Sequence, residues 1–224
     1  MITVHHLADS RSQRVLWLLE ELGLDYRVER YERDPKTGLA PAALKKVHPL
    51  GKSPVITDDQ RTVAETGLIV DYIVREHGQG RLAPEPGSEA HLRYAYWLHY
   101  AEGSLMPPLL LQLVFDTVEA RTPWLARPVA RAISGQVKKQ FIAPQRRLHF
   151  DYLENELRSQ DWFAGNRFSA ADIMLSFPIE AALSGRRAKR GYGYPQLEAF
   201  VANIHARPAY QRALERGGPY TYAG

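Results

Sequence analysis

Cysteine is absent from all 224 residues, which removes disulfides, thiolate zinc sites, iron–sulfur clusters and any nucleophile made of the chain's own sulfur. Chemistry at sulfur must therefore use sulfur carried in by a substrate. Long apolar runs are missing as well, and the opening Met1-Ile2-Thr3-Val4-His5-His6 has no cationic lead with an apolar stretch behind it. The expectation is a cytoplasmic protein with no membrane partner. Charge of one sign is scarce: 29 Lys+Arg against 25 Asp+Glu leave +4, too small an excess to select nucleic acid as a partner. Metal-binding patterns are lacking too, since His5 and His6 point to opposite faces of a strand and no histidine pair has HExxH spacing. No catalytic metal is expected. What remains is an ordinary globular composition, 45% hydrophobic and 24% charged.

Periodicity divides the chain into unlike halves. Residues 2–7 read as a strand, and Val15, Leu16, Leu18, Leu19 and Leu22 recur at helical spacing before the stop signal Gly23. Residues 25–31 alternate as a second strand, so one helix joins the two as in a parallel βαβ unit. After a short helical piece at 41–47, residues 53–56 and 61–64 flank a turn at Asp58-Asp59-Gln60, and Leu68, Ile69, Tyr72 and Ile73 stripe a helix over 65–77. Residues 1–78 thus form a small α/β domain and 79–88, rich in Gly and Pro, a linker. From 89 to 224 strand signals vanish, and helical patterns over 89–119, 128–157, 170–183 and 195–205 predict an all-α bundle. Ser169 and Asp172 have capping-box spacing, with Phe168 and Ile173 as its staple, and read as a folding element.

Other motifs carry less. Gly51-Lys52-Ser53 lacks the glycine five residues earlier that a phosphate loop needs, because Lys46 stands there. The basic run Arg186, Arg187, Lys189 and Arg190 reads first as a solvated loop, with phosphate contact the minority alternative. Basic residues are not interleaved with aromatics for base stacking, which argues against a nucleic-acid binder.

The informative segments are His48-Pro49-Leu50-Gly51-Lys52-Ser53-Pro54-Val55-Ile56 and Ala64-Glu65-Thr66-Gly67. A proline opening a strand can take the cis bond and turn the Ser53 main chain outward as a free edge for an extended peptide. Glu65 and Thr66 fall at a helix start, where free amides favour a carboxylate and the acid can pair with an ammonium. Together they suit an amino-acid head group. From the residues alone, an edge proline and a plain helix cap explain Pro54 and Thr66 equally well.

With the opening strand, the turn-to-helix segment Asp9-Ser10-Arg11-Ser12-Gln13-Arg14-Val15-Leu16-Trp17 and the Ser169–Asp172 box, these motifs resemble the glutathione S-transferase superfamily over nearly the whole chain. The likeness is to the bacterial and fungal branch with His-Pro-Leu-Gly-[Lys/Arg]-Ser-Pro in the loop. It implies a thioredoxin-like N-terminal domain, a helical C-terminal domain and a homodimer. It also implies that Pro54 is the cis proline, that the Ser53 main chain, beside Val55, pairs with the cysteinyl unit of glutathione, that Glu65 and Thr66 hold the γ-glutamyl end, and that Lys52 reaches the glycyl carboxylate. The family's active hydroxyl belongs in the turn after the first strand. Its usual position holds Asp9 here, and Ser10, one residue on, is the implied replacement.

The resemblance implies a transferase in which Ser10, helped by the first helix's positive end, stabilises glutathione as thiolate for attack on a small hydrophobic electrophile, a peroxide or a disulfide. Trp97, Tyr100, Met106, Leu109 and Phe115 are the candidate walls of the second-substrate pocket, and Ser12 reads as a helix N-cap. The alternative is a non-catalytic member of the fold that uses its helical domain to bind a protein.

Overall fold

The computed structural model describes residues 1–184 and 193–223, so the basic run at 186–190 lies outside the described residues. Four strands, β1 (Ile2–Leu7), β2 (Tyr26–Tyr31), β3 (Val55–Asp58) and β4 (Arg61–Ala64), form one sheet in the order β2-β1-β3-β4. β1 and β2 are parallel, with Val4 opposite Val28, because helix α1 (Ser12–Leu22) returns the chain between them. β3 runs antiparallel to β1 and β4 to β3, the second pair joined by the tight turn at Asp59-Gln60. The strand expected at 53–56 starts two residues later, since Ser53 and Pro54 lead into it. Helix α2 (Thr66–His77) closes this half.

α1 is buried on almost every face because it is packed on both sides. Its end is set by Gly23, whose φ of 62° suits glycine, with the Leu24 amide reaching back to the Leu19 carbonyl at 3.0 Å.

Seven helices follow among the described residues: α3 (Glu89–Tyr100), α4 (Met106–Arg121), α5 (Arg127–Val137), α6 (Ala143–Ser159), α7 (Ala170–Leu183), α8 (Pro195–His205) and α9 (Pro208–Gly217). The run expected at 89–119 is interrupted by a π turn at Ala101–Leu105, just before Pro107 and Pro108. The run at 128–157 is likewise interrupted at Lys138–Ile142, just before Pro144. Proline has no amide to donate backwards, and widening the preceding turn lets each helix resume. α9 extends the bundle beyond the last helix expected from periodicity. It packs so closely on α1 that a Cβ at Gly217 would lie 2.5 Å from Oε1 of Gln13.

One buried contact joins the two halves through a helix defect. Pro178 stands inside α7, so the Met174 carbonyl four residues earlier loses its helical donor. Arg14 of α1, only 1% exposed, donates Nη1 to that carbonyl and Nη2 to Glu102. Burial acts to raise the Glu102 carboxyl, but the guanidinium groups of Arg14 and Arg11 hold it below the usual carboxylate range. The first turn of α7 is closed as expected: Asp172 accepts from the amides of Ser169 (2.8 Å) and Phe163 (2.9 Å), and the Ala171 amide donates to the Ser169 hydroxyl (3.3 Å). Phe168, expected to staple onto Ile173, meets Trp17 and Trp162, with ring centroids 5.6 and 4.9 Å away.

Candidate active site

The sheet register gathers the predicted residues at one end. His5 of β1 lies opposite Val55 and Val55 opposite Ala64, so the chain leaves β1 towards Ser10, enters β3 through Ser53 and Pro54, and leaves β4 into Glu65 within one region. The Ser53–Pro54 bond is cis. Ser53 Oγ donates to the His5 carbonyl at 2.9 Å, and its main-chain amide and carbonyl enter none of the loop or turn hydrogen bonds among the described residues. Val55 is buried within the sheet.

The head of α2 is left open. Glu65 is exposed and holds φ 70°, ψ 121°, a conformation that L-residues seldom adopt, and no side chain caps the helix. Such backbone costs about 1–3 kcal/mol and persists where the surroundings enforce it. Thr66, the next residue, is buried.

The head of α1 is wired differently. Ser10, 8% exposed, accepts from the Ser12 amide at 3.2 Å, and its Oγ lies 2.7 Å from Ser12 Oγ. Ser12 is the first residue of the helix rather than its cap. Its hydroxyl contacts His6 Nδ1 at 2.8 Å and accepts from the Leu7 amide at 3.3 Å, tying the helix start to β1. Burial, with the charge of Arg30 acting in the same direction, pushes the His6 imidazole down to about 4, so it is neutral at pH 7. Asp9, at φ 50°, holds the turn in a left-handed conformation.

Beside this turn lies a cleft of about 550 Å³ whose lining includes Ser10, Arg11, Lys52 and Ser53 from the sheet side. Met106, Leu109, Leu110, Leu113 and Phe177 line it from the helical side, and Tyr222 from the end of the chain. Of the proposed walls, Met106 and Leu109 therefore face the cleft. Trp97 and Tyr100 do not: they are 1% and 7% exposed in the bundle core, their rings packed edge to face at 5.1 Å. Phe115 of α4 is half-buried and is not part of the lining. Helical periodicity marks an apolar face without saying whether it meets core or cleft. Leu110, Leu113, Phe177 and Tyr222 were not singled out from sequence. For the first two the same α4 stripe was available, whereas nothing local marks Tyr222.

Against this geometry, the comparisons with known proteins agree. The N-terminal domain model of glutathione S-transferase matches residues 10–76 and the C-terminal domain model residues 136–208. Glutathione S-transferase 3 of Schizosaccharomyces pombe is 35% identical, over 96% of this chain and 88% of its own length. The chain belongs to the glutathione S-transferase family. Glutathione S-transferase 1 of Saccharomyces cerevisiae is 30% identical over 96% of this chain and 95% of its own. A glutathione S-transferase structure from Actinobacillus pleuropneumoniae superposes with a TM-score of 0.78 at 30% identity, covering 99% of this chain and 94% of that one. A sphingomonad glutathione S-transferase solved with glutathione superposes with a TM-score of 0.71 at 26% identity, covering 96% of this chain and 98% of that one. The architecture is that of the family: a thioredoxin-like N-terminal domain and a helical C-terminal domain.

Proposed function

We propose that this glutathione S-transferase family member is a glutathione transferase that binds the tripeptide across the sheet end and presents its sulfur to the cleft. The carrying observation is the convergence of the cis Ser53–Pro54 edge, the open head of α2 and the Ser10 turn at one end of a single sheet. The Ser53 main chain takes the cysteinyl unit and Lys52, exposed at the rim, the glycyl carboxylate. Glu65 pairs with the γ-glutamyl ammonium, and Thr66 with the neighbouring amides receives its carboxylate.

With the peptide so placed, sulfur falls beside Ser10 and the first turn of α1. To donate to sulfur, Ser10 gives up its bond with Ser12, a net loss of about 1 kcal/mol. A bond to a thiolate is charge-assisted and roughly twice as strong, so the exchange favours the ionised sulfur. Arg11 also lines the cleft, its guanidinium paired with Glu102 at 3.1 Å, so the positive charge it adds is partly offset. The thiol proton passes to solvent, and the thiolate then attacks the electrophilic centre of a small hydrophobic substrate seated on Met106, Leu109, Leu110, Leu113 and Phe177, its new bond forming as the bond to the departing halide, alkoxide or thiolate breaks. An aryl halide, an organic peroxide and a mixed disulfide form the panel that separates the three chemistries.

Ser10→Ala should raise the pKa of bound glutathione by about one unit, equal to about 1.4 kcal/mol, with affinity within twofold. Thiolate absorbance followed against pH measures it. An unchanged pKa in Ser10→Ala together with a raised one in Arg11→Ala would move the role to Arg11. A homodimer in the cytoplasm belongs to the same reading. It is supported by the exposed apolar residues Leu92, Tyr96, Leu111 and Val114 on α3 and α4, and light scattering should give twice the 25.4 kDa chain mass.

A further inference from the structure

Asp9 occupies the position where the resemblance expects an active hydroxyl, and its carboxylate is turned away from that role. Its Oδ1 accepts from the Thr221 amide at 2.7 Å and its Oδ2 from the Thr221 hydroxyl at 2.8 Å. One carboxylate thus holds both donors of a residue 212 positions away. The same turn is held from its other side by Arg33, which donates to the carbonyls of Ala8 (3.1 Å) and Asp9 (2.9 Å).

Two contacts with α7 also hold the segment that Asp9 clasps. Before Thr221, the Tyr220 hydroxyl donates to buried Glu180 of α7 at 2.9 Å. After it, the Tyr222 ring packs edge-on against Phe177 of α7, with centroids 5.5 Å apart. Phe177 and Tyr222 both line the cleft that also contains Asp9 and Ser10. The clasp therefore joins the turn that carries Ser10 to an aromatic wall facing the same space. The Tyr222 ring also packs edge-on against Tyr220, with centroids 5.4 Å apart, and the Ala223 amide donates to the Tyr220 carbonyl at 3.2 Å, so loss of the clasp loosens Thr221 and Tyr222 without releasing the chain before them.

We propose that Asp9 is a positioning residue which, by clasping Thr221, holds Tyr222 against Phe177 and makes that aromatic pair the determinant of which planar, unsaturated group fits beside the sulfur. The inference rests on the glutathione reading above and adds the class of second substrate. An edge-to-face pair offers a flat group one ring face and one ring edge, a geometry that a flexible aliphatic chain does not exploit.

The test uses equilibrium binding to the full chain, with glutathione, S-methylglutathione and S-benzylglutathione as probes in titration calorimetry. In Asp9→Ala and in Tyr222→Ala, S-benzylglutathione should bind about tenfold more weakly, with glutathione and S-methylglutathione within twofold of the unaltered chain. Tyr222→Phe keeps the ring and should restore benzyl affinity. Thr221→Val, which removes one clasp bond from the tail side without touching the Ser10 turn, should give an intermediate loss and guards against misfolding of the Asp9 variant. Equal losses for all three probes would make Asp9 a support of the fold alone and overturn the inference. Unchanged benzyl affinity in Tyr222→Ala would do the same. If the unaltered chain takes none of the three probes, the glutathione reading fails and this inference with it, an outcome distinct from either of the others.

Discussion

Two helices of this chain begin with an acid and a buried hydroxyl residue, and they treat the acid in opposite ways. At α7, Asp172 is completely buried and its oxygens receive the Ser169 amide, the Ser169 hydroxyl and the Phe163 amide. At α2, Glu65 is exposed, carries a φ of 70°, and no side chain caps the helix. A helix start that satisfies its own donors leaves nothing for a ligand, whereas one left open keeps amides and charge available at the cost of local backbone strain. Sequence separates the two by spacing, three positions from Ser169 to Asp172 against the adjacent Glu65 and Thr66. The disposition of their donors makes one end a closed folding element and leaves the other open, as the proposed glutathione site requires.

The largest effect should come from breaking the closed end. Asp172→Ala strands two amides and a hydroxyl in a dry environment and should lower unfolding stability by about 4 kcal/mol, measured by urea titration. Glutathione affinity of the fraction that remains folded should stay within twofold. A loss of affinity well beyond twofold would show that the closed end also serves the site, and the contrast would fail.

Acid sharpens the same contrast through two buried groups of opposite sign. Asp172, pushed up by burial to about 6 from 3.8, contributes stability that is present below pH 3.8 and lost as pH rises to 6. His6, pushed down by burial to about 4 from 6.5, contributes stability that is present above pH 6.5 and lost as pH falls to 4. Each amounts to about 3 kcal/mol, so they nearly cancel between pH 4 and 6. His5 and His149, also lowered by burial, add to the His6 side of this balance, so the urea midpoint of the unaltered chain should not fall as pH rises across that window. In His6→Asn the slope should turn downward relative to the unaltered chain by up to about 3 kcal/mol across the window, exposing the Asp172 contribution. An identical slope in both proteins would remove His6 from the account.

What could be read in the sequence follows the range of the forces involved. The strand and helix pattern and the capping box are set by residues within about ten positions of one another, and each left a local mark, whereas the residues around Pro54 left its cis bond open and the family resemblance supplied it. The Arg14 bond to Met174, made because Pro178 stands in α7, spans 160 positions and left none. The same holds for the Asp9–Thr221 clasp. Asp9 could be seen as a departure from the family pattern, but its partner could not be identified before the chain closed on itself. Trp97 and Tyr100 failed as pocket walls for a related reason: large aromatics fill cores as readily as they line clefts.

The smallest predicted effect bears most directly on the open end. If Glu65 holds its φ of 70° for the sake of a ligand, the conformation is a cost to the folded chain that glycine would not incur. Glu65→Gly releases strain of about 1–3 kcal/mol and loses part of it to the greater freedom of glycine in the unfolded state, so stability should rise by about 1 kcal/mol. Glutathione affinity should fall at least tenfold, because the ammonium loses its counter-charge. Urea titration and calorimetry on the same preparation read both quantities. A variant that loses stability would mean that Glu65 supports the fold as Asp172 does. A variant that gains stability and keeps its affinity would leave the strained residue without a ligand to account for it.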